Sequence, residues 1–417
     1  MPARGPKKTL QDAEVRSLAR RIVADEGIDS LSLPRLALLG GFTSAPLYRR
    51  YDTGADVAAD LWDAEVREHF TRILDAAVGW VLHPHAPESV WLTNELTSPS
   101  ESSRALVALL ATARRLGAQG DEIRQDIGTA IDAFLAAQSD LPPAITIASV
   151  TPILGALLLE PVAPFVLPAV TDRRAEFGVA YRDPLHWRHT SIDIPYFRPG
   201  GPHWESGDAV LDELRNAAVR VVSRYGVAGA TSNRITREAG RSITSAYRRL
   251  GSKEELISNS IGLALSSEFG FSGRDNASSM PFSQADRVLR ALHVLRNQVD
   301  HSNRTSRLFV LESLIAARYD PLIHREVTQW FTMGHGRFRA AALALEVSDS
   351  QALIERWEFR IVTGIGALLL SVAAQRFFDR IDPMPVVYAN DVVCFAGIAM
   401  RSNNPDTPTP PAAVAGD

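Results

Sequence analysis

Apolar residues recur at helical spacing near the start of the chain, where Val15, Ala19, Ile22 and Val23 form an i, i+4, i+7, i+8 stripe. Leu214, Ala218, Val221 and Val222 repeat that stripe 199 residues later. Each stripe predicts an amphipathic helix. The surrounding residues run in the same register, so that Glu14 to Val57 aligns without a gap on Glu213 to Leu256. Identities include Gly27 with Gly226, Arg35 with Arg234, Gly41 with Gly240, and Tyr48-Arg49-Arg50 with Tyr247-Arg248-Arg249. Gly27 and Gly226 predict the end of the first helix, because glycine accepts the left-handed conformation of a C-cap without a Cβ penalty. Ser32 and Thr231 are placed to N-cap a second helix whose Leu36 or Ile235 turns inward. Gly41 and Gly240 then end that helix, and the hydroxyls of Thr43 and Ser242 are placed to cap a short third one running through Tyr48 and Tyr247. Helix, glycine turn and short helix make the helix-turn-helix layout, in which the last helix lies in the DNA major groove.

These residues resemble the DNA-binding domain of the TetR (tetracycline repressor) family of transcriptional regulators. The second copy keeps Gly226, Thr231, Ile235, Ala239-Gly240, Ser242, Tyr247 and Ser252-Lys253-Glu254-Glu255-Leu256 of the family pattern. The first keeps Gly27, Ser32, Leu36-Ala37, Gly41, Thr43, Leu47-Tyr48 and Tyr51. In the first copy Gly54 and Ala55 replace the Lys-Glu pair, which removes a phosphate-binding ammonium and a capping carboxylate. In the second, Arg241 stands at an apolar turn position, and Ala246 and Leu250 replace Leu and Phe, which predicts looser packing of its third helix. The resemblance implies that Thr43, Ser44 and Ala45, or Ser242, Ile243, Thr244 and Ser245, face the bases. Ser32, Thr231, Tyr48, Arg49, Tyr247, Arg248 and Lys253 are the accompanying DNA-binding residues, with Ser252 and Glu255 forming a capping box that presents Lys253 to the backbone.

Net charge changes this picture only locally. The whole chain carries −4, but Asp208 to Leu256 holds nine Lys or Arg against six Asp or Glu, and Met1 to Val57 holds nine against seven. Arg4, Lys7 and Lys8 form a basic arm that reads either as a flexible solvated terminus, the commoner outcome, or as a segment suited to an adjacent minor groove. The single cysteine, Cys394, excludes an internal disulfide framework and fits a reducing cytoplasm. No secretory signal is read, because no apolar run follows the N-terminal charges. Val362 to Ala374 is too short to span a bilayer, and Ile145 to Val170 is interrupted by Pro152, Glu160, Pro161, Pro164 and Pro168, so no membrane partner is expected.

A second echo lies inside those two apolar segments. Gly155-Ala156-Leu157-Leu158-Leu159 returns 211 residues later as Gly366-Ala367-Leu368-Leu369-Leu370. In the resembled family this late position carries the helices that pair two subunits. Gly155, Leu158, Gly366 and Leu369 are therefore expected at an internal pseudo-dimer interface, where small residues let helices approach closely. Between the halves, 171–207 reads as a linker or strap, broken by Pro184, Pro195, Pro199, Gly200, Gly201 and Pro202 and pinned by Trp187, Tyr196, Phe197 and Trp204. The tail from 402 to 417 reads as disordered.

Motifs for catalysis are poor. Gly364-Ile365-Gly366 sits in an apolar helical run with no preceding strand, and no phosphate-cradling loop or Gly-x-Ser-x-Gly elbow occurs. His83-Pro84-His85 and His186 with His189 lack nearby ligands at metal spacing. Trp62, Trp91 and Phe134, and Phe309, Trp330, Phe331 and Trp357, are placed to line an effector cavity or simply to form core. The expected architecture is all-α, with two tandem TetR-like halves. DNA-binding units at 1–57 and 208–256 precede helical ligand-binding and pairing domains at 58–170 and 257–401, arranged as an intramolecular pseudo-dimer. The expected function is a cytoplasmic, non-enzymatic regulator, a repressor in its simplest form. Double-stranded DNA with an asymmetric or imperfectly palindromic operator is its partner, with a small-molecule effector in place of any cofactor or metal and room for further homodimerisation. The alternative is a sensing or protein-interaction module of the same fold that has lost DNA binding in one or both units.

Overall fold

The computed structural model describes residues 11–83, 85–141, 143–182, 207–242, 252–268, 304–344 and 350–375, and regular structure among them is entirely helical. In the first half, α1 (Asp12–Asp25), α2 (Leu33–Gly40) and α3 (Ser44–Tyr48) form a headpiece. Helix α4 (Gly54–Leu61) continues through a π-turn at Trp62–Val66 into α5 (Arg67–Leu82). Then follow α6 (Pro87–Thr97), α7 (Glu101–Thr112), α8 (Gly117–Ala137), α9 (Pro143–Leu159) and α10 (Leu167–Arg182). In the second half α11 (Ala209–Gly229) and α12 (Ser232–Glu238) are followed by α13 (Lys253–Glu268), α14 (Arg304–Ala316), α15 (Pro321–Ala344) and α16 (Ser350–Ala373).

The predicted stripe of each first helix is its buried face: Val15, Ala19, Ile22 and Val23 in α1, and Leu214, Ala218, Val221 and Val222 in α11. Each lies against one central helix, α1 on α7 and α11 on α14. From Ala105 onward α7 is apolar and buried all round, and α14 is buried from Ser306 to its end, which is the signature of helices at the middle of a bundle. Trp62, Trp80, Phe70, Phe309 and Phe359 fill the core around them. Burial leaves the indole N–H groups in need of acceptors, which Trp62 finds in Asp126 (3.3 Å) and Trp80 in Thr93 (3.1 Å). Trp62, Phe134, Phe309, Trp330 and Phe331 are thus core residues.

Among the described residues, the most extensive helix pairing joins the halves, α9 against α16. Pro152 interrupts the hydrogen-bond ladder of α9 without ending it, and Thr151 Oγ1 donates to the Ala148 carbonyl that Pro152 cannot serve (3.3 Å). The two helices cross at their glycines. A Cβ on Gly155 would run into the carbonyl oxygen of Val362, and one on Gly366 into that of Thr151, each also 2.9 Å from the other glycine's nitrogen. Thr151 and Val362 stand 211 residues apart, as the glycines do, so the contact is reciprocal. Leu158 and Leu369 are fully buried beside it.

One boundary differs from expectation. Residues 171–182, assigned to the linker, form the body of α10, which starts over Pro168 and packs on α16. Arg173 is ion-paired with Glu355, and Arg174 lies over the Trp80 ring. The breakers that suggested a strap begin only at Pro184, so the helix has no reason to stop at 171. The rest of the strap (183–206), His186, His189, the basic arm, Cys394 and the tail lie outside the described residues.

Candidate nucleic-acid interface

Local chemistry builds headpiece one. Ser32 Oγ accepts from the Arg35 amide (3.3 Å), and Pro34 occupies the first turn of α2, where amides lack helical partners. Gly41, at φ 65° and ψ 21°, is a left-handed C-cap. Gly27 differs from the expected cap: its φ of 83° and ψ of 164° belong to the extended positive-φ region that glycine alone occupies easily. Gly226 repeats it at φ 74° and ψ 171°. Thr43 holds the N-cap position of α3 with extended backbone, but its hydroxyl makes no capping bond, a correction to the expected role.

The short α3 turns Leu47 into the core and leaves Thr43, Ser44, Ala45, Tyr48 and Arg49 exposed. Tyr48 is 53% exposed, which suits a phenol free to meet a phosphate. Arg50, the third residue of the Tyr-Arg-Arg repeat, instead pairs with Asp12 and Asp60. Tyr51 donates to the same Asp60 (2.6 Å), and burial together with that carboxylate pushes its pKa up to about 12. Arg16, Arg20 and Arg35 are likewise engaged, with Asp60 and Glu65, Glu65 and Glu101, and Glu26. Leu38 beside them is 72% exposed.

Helix α4 carries a complete capping box, with Thr53 Oγ1 accepting from the Asp56 amide (3.4 Å) and Asp56 accepting from the Thr53 amide (2.7 Å). The capping carboxylate expected to be missing from this copy is therefore present, at the position matching Glu255. Gly54 is required because a Cβ there would strike the Leu31 carbonyl oxygen. Thr53→Ala is expected to cost about 1 kcal/mol, read as a lowered denaturant midpoint.

In headpiece two, Thr231 Oγ1 accepts from the Arg234 amide (3.3 Å) and Ile235 is buried. Ser242 is exposed at the end of the described segment. Ile243, Thr244, Ser245, Tyr247 and Arg248 lie outside the described residues. Ser252 Oγ accepts from the Glu255 amide (3.0 Å), the first bond of the expected capping box. Lys253 is only 22% exposed and pairs with Glu254 (3.2 Å). Arg241 pairs with Glu213, which explains how a charged residue occupies that turn.

Two contacts escaped the sequence reading. Arg115, just beyond α7, grips Asp29 of headpiece one (Nη1 to Oδ1 2.6 Å, Nη2 to Oδ2 3.2 Å) and donates to the Tyr225 carbonyl of headpiece two (3.2 Å). Its guanidinium lies where a Cβ of Gly226 would be. Tyr319, just beyond α14, covers Gly27 in the same manner. The signal was present: Leu110, Ala113 and Arg114 match Leu314, Ala317 and Arg318 at a spacing of 204, which sets Arg115 against Tyr319.

Near the far end of α15, Phe165, His335, Trp357 and Phe338 form a ladder of rings, with successive centroids 4.6, 6.4 and 4.4 Å apart. His335 Nε2 lies 2.7 Å from Glu358 Oε1. Burial, with Glu355 nearby, pushes the Glu358 carboxyl up to about 7, whereas burial and Arg339 hold His335 below its ordinary range. Between its ordinary range and about 7 the folded chain keeps a proton on Glu358 that the unfolded chain has released, so this group costs stability as pH rises. Glu358→Gln is accordingly expected to gain on the native protein between about pH 5 and about pH 8, in denaturant midpoints measured side by side.

Among the described residues, no helix is long and apolar enough to cross a membrane, and no group of three metal-ligating side chains is found. The chain matches no protein-family model and no curated protein.

Proposed function

We propose that this chain is a DNA-binding transcriptional regulator resembling the TetR family, in which one polypeptide supplies both half-site readers of a pseudo-dimer. The observation that carries the reading is the reciprocity of its internal contacts. Gly155 on Val362 mirrors Gly366 on Thr151, and Arg115 on Gly226 mirrors Tyr319 on Gly27, each between residues matched in sequence. Such pairing is what a twofold interface requires, residue i on j and j on i. In headpiece one, Ser44 and Ala45 suit base edges and Tyr48 and Arg49 suit phosphates, the first three on the exposed face of one short helix and Arg49 at its C-cap. The headpieces differ in their reading residues, Thr43-Ser44-Ala45-Pro46 against Ser242-Ile243-Thr244-Ser245, so the operator is asymmetric. An effector that binds better to the arrangement unable to meet DNA would release it by population shift.

The test is binding to the DNA upstream of the chain's own gene across a salt series. Affinity is expected to fall linearly in log–log form, with Arg49→Ala reducing the slope by about 1. A specific complex at no salt concentration would defeat the proposal. That outcome would favour the second reading, a protein-interaction module, to which the acid-paired arginines and exposed Leu38 of headpiece one lend support.

A further inference from the structure

The DNA-reading assignment leaves open what holds the two headpieces at one separation. A twofold reader needs its recognition helices about one duplex turn apart, roughly 34 to 36 Å, so their mutual placement is part of specificity. Each headpiece rests on its own central helix, but that contact alone does not fix one headpiece relative to the other.

We propose that Arg115 and Tyr319 are positioning residues that cross between the halves, lock the headpieces together, and thereby set the half-site spacing the chain accepts. The inference rests on the DNA-reading proposal for its consequence, though not for its geometry. Arg115 reaches three bodies with one guanidinium: Asp29 of headpiece one through a two-bond fork, the Tyr225 carbonyl of headpiece two, and Glu312 of α14, whose Oε1 is 3.0 Å from Nε. Arg114 also donates to Glu312 (2.5 Å), so the carboxylate is clamped between two cations and is almost wholly buried. A planar fork with donors on several sides suits this junction, and a lysine ammonium on a flexible stem does not. Tyr319 closes over Gly27 from within the same cluster, near enough to Asp29, Glu312 and Arg115 to interact with each. Both glycines combine positive φ with a surface free of Cβ, which lets a side chain from the other half sit directly on the turn that ends each first helix. That turn leads into the second helix of its headpiece, so a shift there carries the reading unit with it.

Burial strengthens the lock. Arg115 and Glu312 are almost wholly buried, so removal of one partner leaves the other a poorly compensated charge in the interior. Losing Arg115 frees Asp29 and leaves Glu312 to Arg114 alone. Losing the Tyr319 ring opens the surface of Gly27.

The experiment measures the separation directly. Spin labels on Ser17→Cys and Asn233→Cys, exposed positions of α1 and α12, are placed in a Cys394→Ser background, and the distance distribution is recorded by pulsed electron resonance on the full chain. A single narrow distribution is expected. Arg115→Ala and Tyr319→Ala should each broaden it, Arg115→Lys should only partly restore it, and Tyr319→Phe, which keeps the ring, should leave it narrow. In parallel, operators with one base pair added or removed between half-sites should lose at least about tenfold in affinity for the native chain, and Arg115→Ala should reduce that discrimination to less than about threefold. Circular dichroism confirms that each variant is folded, and Tyr319→Ala stands in if Arg115→Ala is not. Unchanged distributions in the alanine variants overturn the inference whether or not the chain binds DNA. A broadened distribution with no DNA binding by the native chain upholds the lock and defeats the reading of DNA.

Discussion

Gly366→Ala is expected to destabilise the protein, although helix propensity alone predicts the opposite. Alanine is favoured over glycine within a helix by about 1 kcal/mol. At the α9–α16 crossing, however, the added Cβ meets the Thr151 carbonyl oxygen, a backbone atom that no rotamer change can move aside. Gly366→Val should lose about 3 kcal/mol, the upper end of the usual range for an overpacked core. Gly334→Ala provides the control, because it lies in α15 with no neighbour where its Cβ would be, and it should gain up to about 1 kcal/mol. Denaturant midpoints decide the sign in each case. A gain at Gly366 equal to that at Gly334 would mean that the helices do not cross there.

Leu47→Ala is expected to abolish recognition of one half-site and spare the other. Helix α3 has five residues, too few to hold helical form unaided, and Leu47 is its fully buried anchor. Truncating such a leucine costs about 2–5 kcal/mol, which at this site falls on the headpiece rather than on the bundle. Footprinting should show protection lost over a single half-site, with far-ultraviolet circular dichroism nearly unchanged. Loss of both half-sites together, or of neither, would contradict the separate roles of the two headpieces.

The elements with strong periodicity were legible in the sequence. The stripes of α1 and α11, the caps at Ser32 and Thr231 and the inward turn of Leu36 and Ile235 follow from local rules of spacing and hydrogen bonding, which need no knowledge of distant partners. The glycine echo was legible because close helix approach admits few residue types. What local rules could not supply was long-range pairing. That Arg50 would serve Asp12 and Asp60 rather than DNA depends on how α1 and α4 converge, and the Tyr-Arg-Arg repeat carries no trace of it. Arg115 and Tyr319 are illegible in the sequence for a related reason. They differ in chemistry, so comparison by identity passes over them, although both act as a side chain laid on a bare glycine. The start of the linker differs because the breakers from Pro184 onward were extended back over 171–182, a stretch with no proline that continues α10.

The most direct test of a single chain holding two readers is the native mass of the complex formed on the shortest duplex that the protein protects. One chain of 45.5 kDa per duplex is the predicted result. Two chains on that same duplex would contradict it.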